Sequence, residues 1–586
     1  MNRRIQLLSI IFLGISSAAF SQIKEEKLIL NKKREPEVKK IEKKKTSVET
    51  IKNYPPEEKS QNTVQYKITD VPAVSDFKTS TIQGQDVTPT FKGSAQNNYI
   101  QFGMGNYGKI LGDANISKTL ENKIEVGADV HFLSTQGLKK EYPWDSKQSS
   151  TTLGAFLNSY GDKGKFNLNA EYGLNSYNYY GIYALEPGDV DLDQRVNQFK
   201  VNGYYDFYSN EILNDVRVKS SFLKDHFDAQ ENQVSVLANL SKHAVEIGKS
   251  DINLNADLGV GLEAVNSEFA IVDKNSSNFV NIGLTPKVTF RKGESYLMLG
   301  SSFSFLNSKN SNEMMAEQMK NNKTYWFPQA EFQYAAAQEF KFYGGVDGGL
   351  KLNTYSDLLQ QNPFIVSHQY LKPTETKYHF YVGLRGDIDE TFKYDVSAGY
   401  GKMRDIMFFR ANDLFDYNSV NRAAYNYANT FSAIYDDGNV SDVKGSLQYF
   451  PLANLILDAE VKFTKFDLKN YENIYNIPLF NATIGAKYTM LDQKLLLGFK
   501  GIFASDRTTN SFVVEGVGSP VMYQSTEDTN DKVGGYADLN LSAEYKIYKN
   551  FSIFALGNNL LSSKYQTYKG YKVLGAQVLG GVKITF

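Results

Sequence analysis

The 586-residue chain contains no cysteine, which excludes disulfides, thiolate metal sites, a cysteine nucleophile and lipidation at a lipobox. Beyond the first 21 residues no apolar run approaches the ~20 residues needed to cross a bilayer as a helix, and mean hydropathy is -0.41. A helical membrane protein is therefore excluded. The formal net charge is -1 and falls to -3 without Arg3 and Arg4, so there is no basic surplus of the kind nucleic acids attract. Proline is sparse, at 14, while Tyr (39), Phe (38) and Gly (44) abound. An aromatic-rich chain that is not hydrophobic overall fits strands whose faces alternate between apolar and polar.

Arg3 and Arg4 precede an apolar stretch from Ile5 to Phe20, which closes in the small-x-small tripeptide Ala19-Phe20-Ser21 before Gln22. This is the pattern of a secretory signal peptide covering residues 1–21, with Ala19 and Ser21 marking the cleavage site. In residues 22–62 Lys and Glu dominate, as in Lys39-Lys40-Ile41-Glu42-Lys43-Lys44-Lys45. Such a composition cannot bury a core and reads as a charged periplasmic tether, disordered or helical. Residues 63–98 are polar with scattered anchors, Tyr66, Ile68, Val71, Phe77 and Ile82, and read as an extended arm. Residues 23–98 are thus where a periplasmic or outer-membrane protein partner is expected to attach.

From Tyr99 to Phe586 a period of two recurs, as in Ile124-Val126-Ala128-Val130-Phe132, Phe166-Leu168-Ala170-Tyr172-Leu174, Ile252-Leu254-Ala256-Leu258-Val260 and Phe392-Tyr394-Val396-Ala398-Tyr400. The residues between are Asn, Lys, Glu, Asp, Ser and Gly, which suit a wet lumen. Connections alternate between short turns (121–123, 161–165, 209–210, 247–250, 291–294, 387–390, 491–494, 549–550) and longer stretches (134–150, 175–195, 262–278, 306–324, 353–375, 402–430, 505–531, 562–576). The expected fold is all-β: a transmembrane, antiparallel, up-and-down barrel of about 22 strands, with short periplasmic turns and long extracellular loops. Its expected location is the cell outer membrane, in contact with lipid and lipopolysaccharide.

At the C-terminus Val578, Gly580, Val582, Ile584 and Phe586 alternate and end on an aromatic residue. The segment Val582, Ile584, Phe586 resembles the signal that the barrel assembly machinery reads. The stretch Leu556-Gly557-Asn558-Asn559-Leu560-Leu561, with Lys564-Tyr565, Gly570-Tyr571 and Gly575, resembles the closing hairpin of Bacteroidota TonB-dependent receptors. Asn106-Tyr107-Gly108, Gly127 and His131-Phe132-Leu133-Ser134 resemble their opening strands. The resemblance spans roughly Val64 to Phe586. It implies a transport barrel, but such receptors carry an N-terminal plug of well over a hundred residues, and about 40 residues are too few to fold alone as one. Energised uptake is accordingly not carried over from the resemblance.

No catalytic constellation accompanies the five histidines, and no enzymatic role is expected. Asp129 and His131 share one strand face, and His379 points inward beside Lys377 and Tyr381, but neither Gly-x-Ser-x-Gly nor His-Glu-x-x-His is present. Gly103-x-Gly105-x-x-Gly108 imitates a dinucleotide loop but lies within a strand. Asp189-x-Asp191-x-Asp193 imitates half a calcium loop, yet Gln194 replaces the needed Gly and Lys200 the bidentate acid. These three aspartates are the weak metal candidates; no resident metal and no cofactor are expected. Tyr177, Tyr179, Tyr180 and Tyr183, then Phe408 and Phe409, then Tyr565, Tyr568 and Tyr571 cluster in three loops. They read as an interfacial girdle or a lipopolysaccharide-facing surface, with glycan or protein binding as the alternative. Two functions follow as expectations. The first is a non-catalytic accessory or scaffold subunit of an envelope complex for outer-membrane protein assembly, secretion or surface-protein handling. The alternative is a passive or partner-gated transporter, TonB-dependent-receptor-like, for a small solute.

Overall fold

The computed structural model describes residues 98–586 apart from short breaks at 121–122, 209–211, 247, 249–250, 272, 313–316, 416–421 and 520. The expected signal peptide with Ala19 and Ser21, the tether and all but the last residue of the arm lie outside the described residues.

The strands run β1 (Tyr99–Gly105), β2 (Lys109–Leu120), β3 (Ile124–Thr135), β4 (Gln148–Tyr160), β5 (Gly164–Asn178), β6 (Asp193–Phe207), β7 (Leu213–Asp225) and β8 (Gln230–Glu246). They continue as β9 (Asn253–Phe269), β10 (Asn275–Lys292), β11 (Ser295–Asn312), β12 (Glu317–Ala337), β13 (Phe340–Lys351), β14 (Thr374–Ile388), β15 (Phe392–Ala411) and β16 (Phe431–Leu452). The last are β17 (Leu455–Leu468), β18 (Phe480–Met490), β19 (Leu495–Ala504), β20 (Arg507–Val517), β21 (Met522–Val533), β22 (Tyr536–Tyr548), β23 (Phe551–Asn558) and β24 (Gln577–Thr585). Among the described residues one short α-helix, α1 (Tyr355–Gln361), interrupts the β13–β14 loop.

Twenty-two of these strands form one antiparallel sheet, which closes where β1 pairs with β24. Closure leaves no edge with unpaired backbone groups, the condition for strands to cross a bilayer. The remaining two, β20 and β21, form a separate hairpin inside the β19–β22 loop. Among the described residues no helix is long and apolar enough to span a membrane. Asn98 and Phe586 lie together at the short-turn end, the periplasmic one, where the Phe586 amide donates to the Asn98 carbonyl at 2.9 Å.

The period of two sorts the wall. Phe102, Val130, Leu168, Tyr172, Leu258, Phe380, Val396 and Tyr400 are exposed on the outside, where lipid takes the place of water. Val582, Ile584 and Phe586 share that outer face. Inward residues are polar and paired across strands, such as Lys583 with Glu544 at 3.1 Å and Asn239 with Asp215 at 3.1 Å. Besides 505–531, which holds β20 and β21, two expected loops are largely strand: β9 and β10 run into 262–278, and β11 and β12 into 306–324. There the outer face carries Asn266, Asn278, Asn307 and Lys309. Once a strand clears the bilayer nothing demands an apolar face, and the alternation that marks a membrane strand disappears.

Candidate functional site

The three aromatic clusters do not form an outward-facing girdle, and this corrects the reading from sequence. Tyr177, Tyr179, Tyr180, Phe409, Tyr568 and Tyr571 are buried in one core with Phe364, Ile365 and Phe431. Phe408 is buried separately beneath Tyr471 and Tyr475 of the β17–β18 loop, and Tyr565 stacks on Tyr536 at 4.1 Å.

The position of this core follows from the topology. Its main contributors are the loops β13–β14 and β15–β16, joined by β5–β6 and β23–β24; the roots of β5–β6, β13–β14 and β23–β24 lie eight, eight and six strands apart around the ring. Loops rooted about a third of a circumference from one another can meet only over the opening they surround. They therefore form a roof across the extracellular mouth.

Tyr571 of the β23–β24 loop stacks on Phe364 of the β13–β14 loop at 3.5 Å and meets Tyr180 edge-on at 5.0 Å. Gly181 lies under the Tyr571 ring, which a Cβ there would approach to 2.3 Å, and one on Gly570 would reach the Gly181 carbonyl at 2.0 Å. Gly570 also has φ +84, a conformation glycine adopts without strain.

Loops without ladders leave carbonyls needing donors, and tyrosine meets that need while its ring fills the core. Tyr177 donates to the Pro363 carbonyl at 2.5 Å, Tyr179 to that of Ile365 at 2.9 Å, Tyr180 to that of Lys572 at 2.8 Å and Tyr571 to that of Asn429 at 2.6 Å. Burial pushes the Tyr571 hydroxyl well above its ordinary pKa, so it stays a donor across the physiological range. The β20–β21 hairpin is fixed to this roof by the Arg410–Glu527 pair, with contacts of 2.5 and 2.6 Å, and by Asn510, which bonds both backbone groups of Ala411.

Below the roof, the inward histidines are held by carboxylates. His379 Nε2 lies 2.7 Å from Asp442 and its Nδ1 3.6 Å from Asp347, so each ring nitrogen faces an acid. His131 lies 3.8 Å from Asp113 on the neighbouring strand. The His379–Asp442 contact spans β15 at Gly399, where an added Cβ would come within 2.3 Å of the imidazole. Gly399→Val is expected to break it and lower the thermal unfolding midpoint of the purified barrel, at a cost of about 1–3 kcal/mol from stranded buried polar groups. Gly203→Val, where a Cβ meets nothing within 4 Å, is the matched control and is expected to leave the midpoint unchanged.

Asp189, Asp191 and Asp193 do not converge. Asp193 faces Lys147 at 3.7 Å and Arg195 at 3.2 Å, Asp191 accepts from the Asp193 amide, and Asp189 is exposed. Among the described residues no group of three or more His, Cys, Asp or Glu is placed to hold a metal ion. Gly103 and Gly105 lie in β1 and Gly108 in the turn after it, where they pack on β24 and on Gln136.

A closed 22-stranded antiparallel barrel with an apolar outside and a polar inside defines an outer-membrane β-barrel protein. No protein-family description and no curated protein matches the chain. Its fold is similar to that of solved outer-membrane receptors. The ferric-catecholate import receptor Fiu from E. coli K12 is 10% identical with a TM-score of 0.61, covering 83% of this chain and 81% of the receptor. The ferric yersiniabactin uptake receptor FyuA from Yersinia pestis is 13% identical with a TM-score of 0.58 over 83% and 80% of the two chains. The copper transporter OprC is 12% identical with a TM-score of 0.56, again over 83% and 80%. The barrel therefore resembles those of an import receptor, an uptake receptor and a transporter.

Proposed function

We propose that this chain is a gated outer-membrane transporter for a small solute, of the TonB-dependent-receptor type, with residues 23–98 as the contact for a periplasmic protein partner. The observation that carries the reading is the roof: a barrel wide enough to pass a solute has loops from separate parts of its circumference packed into one core over its outer side. A permanently open porin has no use for such a roof. The similarity of the barrel to siderophore and copper receptors supports the same reading. It reverses the order of the two functions that composition alone favoured. Lipopolysaccharide around the barrel and recognition of Val582, Ile584 and Phe586 by the barrel assembly machinery belong to this proposal.

The accessory-subunit reading keeps one observation in its favour. The β20–β21 hairpin exposes Val513, Val517, Val521 and Met522 at the loop end, an apolar surface of the kind proteins bury against partners.

The two readings separate when the full chain is purified in mild detergent from its native outer membrane and analysed by native mass spectrometry. A transporter is expected to carry a small molecule of defined mass that is released on unfolding, and to retain it when residues 22–62 are deleted. Recovery without any small ligand but with stoichiometric proteins, lost on that deletion, would sink the transporter reading.

A further inference from the structure

The β13–β14 loop reaches well beyond its own root. Its helix α1 lies against β7 and β8, six strands away around the ring, and is held there by two carboxylates on the far wall. Glu231 of β8 accepts the Tyr355 amide at 2.5 Å, the Ser356 amide at 2.9 Å, the Ser267 hydroxyl at 2.6 Å and the Gln233 side-chain amide at 2.6 Å. Asp225 at the end of β7 accepts the Tyr355 hydroxyl at 2.7 Å, the Ser367 hydroxyl, and the Gln194 amide at 3.2 Å. It also accepts the backbone amides of Phe227 and Ala229, both at 2.9 Å. Thr354 caps the helix by accepting from the Asp357 amide at 3.0 Å.

Both acids are buried, and every partner recorded for them is a neutral donor. A buried carboxylate is tolerated only while donors engage its oxygens. In the docked loop four of those nine donors, two on each acid, are the loop's own, and in an undocked loop water would take their place. Two such arrangements, each satisfying the same anions, make a latch with two states and little stability between them.

Downstream of α1, segment 361–369 supplies acceptors to other loops. The Gln361 carbonyl accepts from Tyr568, that of Pro363 from Tyr177 and that of Ile365 from Tyr179. Phe431 bonds this segment in both directions, its amide to the Phe364 carbonyl at 3.1 Å and its carbonyl to the Val366 amide at 3.0 Å. Withdrawal of this one loop strips partners from the β5–β6, β15–β16 and β23–β24 loops together.

We propose that residues 352–373 are the moving strap of the extracellular gate, latched by Asp225 and Glu231, and that the roof opens when this strap leaves the β7–β8 wall. The proposal deepens the transporter reading and rests on it for its purpose, but its test does not depend on identifying a solute.

Because the chain has no cysteine, Leu358→Cys on the buried face of α1 gives a single reporter. Whole cells are treated with a membrane-impermeant maleimide, with and without Asp225→Asn and Glu231→Gln. Labelling is expected to accelerate about tenfold or more in the double variant, the equivalent of losing one charge-assisted hydrogen bond. Unchanged labelling in a double variant that migrates as a folded, heat-modifiable barrel would overturn the proposal.

A second construction covers misfolding of that variant. Gln198 and Ser356 share a 2.8 Å hydrogen bond between β6 and α1, and replacing both with cysteine ties the strap to the wall. Openings of the tied protein in a planar bilayer are expected to vanish on oxidation and return on reduction. Openings that persist in the oxidised, cross-linked protein would equally overturn the strap, while the transporter reading would still be decided by the bound solute.

Discussion

Tyr571→Ala is expected to turn a shut barrel into a leaking one without unfolding its wall. The side chain is fully buried, stacks on Phe364, meets Tyr180 edge-on and donates to the Asn429 carbonyl, so it touches three loops at once. Truncating a buried aromatic to alanine costs about 3–5 kcal/mol, and here the loss falls on the roof, whose loops lack ladders to compensate. The wall is held by its own antiparallel hydrogen bonds, so heat-modifiable migration should stay as in the parent. Conductance in a planar bilayer should rise, as should sensitivity of cells to antibiotics normally excluded by the outer membrane. Tyr571→Phe keeps both ring contacts and loses one hydrogen bond of about 1 kcal/mol, so it should stay close to the parent. Parental conductance in a folded Tyr571→Ala barrel would mean that closure lies elsewhere.

Gly581→Val is expected to abolish the folded barrel altogether. Gly581 of β24 stands opposite Gly103 of β1 on the inner face of the seam. A Cβ at position 581 would meet the Phe102 carbonyl at 2.2 Å, the Phe554 ring at 2.5 Å and the Gly103 Cα at 2.7 Å. Two of these are backbone atoms of the partner strand, which cannot move aside without separating β1 from β24. In an open sheet such a clash would cost local stability. In a barrel it leaves two strand edges unpaired in lipid, where each unsatisfied group costs several kcal/mol. The measurement is the heat-modifiable band in outer-membrane fractions, which should disappear. The adjacent Gly580→Val should be tolerated, since its Cβ would meet nothing closer than the Phe554 carbonyl at 3.8 Å. A normal yield of folded Gly581→Val would show that the seam accommodates a wider spacing.

What the sequence determined by itself was the wall. Lipid outside and a polar lumen inside impose opposite demands on neighbouring residues, so Ile124 to Phe132 or Phe392 to Tyr400 announce both strand and orientation without a partner in view. Turn chemistry between them pointed to about 22 strands with both barrel termini at one end. The turns after Ala337 and Leu452 and the β20–β21 hairpin went unread, the hairpin because it stands clear of the bilayer and carries no lipid-facing stripe. The roof was decided only by tertiary structure. Tyrosine-rich loops look alike whether their rings face a membrane, a ligand or each other. Only the closure of the ring brings Tyr571 to Phe364 across more than 200 residues of chain. Asp225 and Glu231 were silent for the same reason, since nothing along β7 and β8 reveals that a helix rooted six strands away needs two acceptors there. A strand's environment is set by a solvent that is the same everywhere along the wall, and that makes it local. A loop's environment is set by which other loops share the opening, and no periodicity records that.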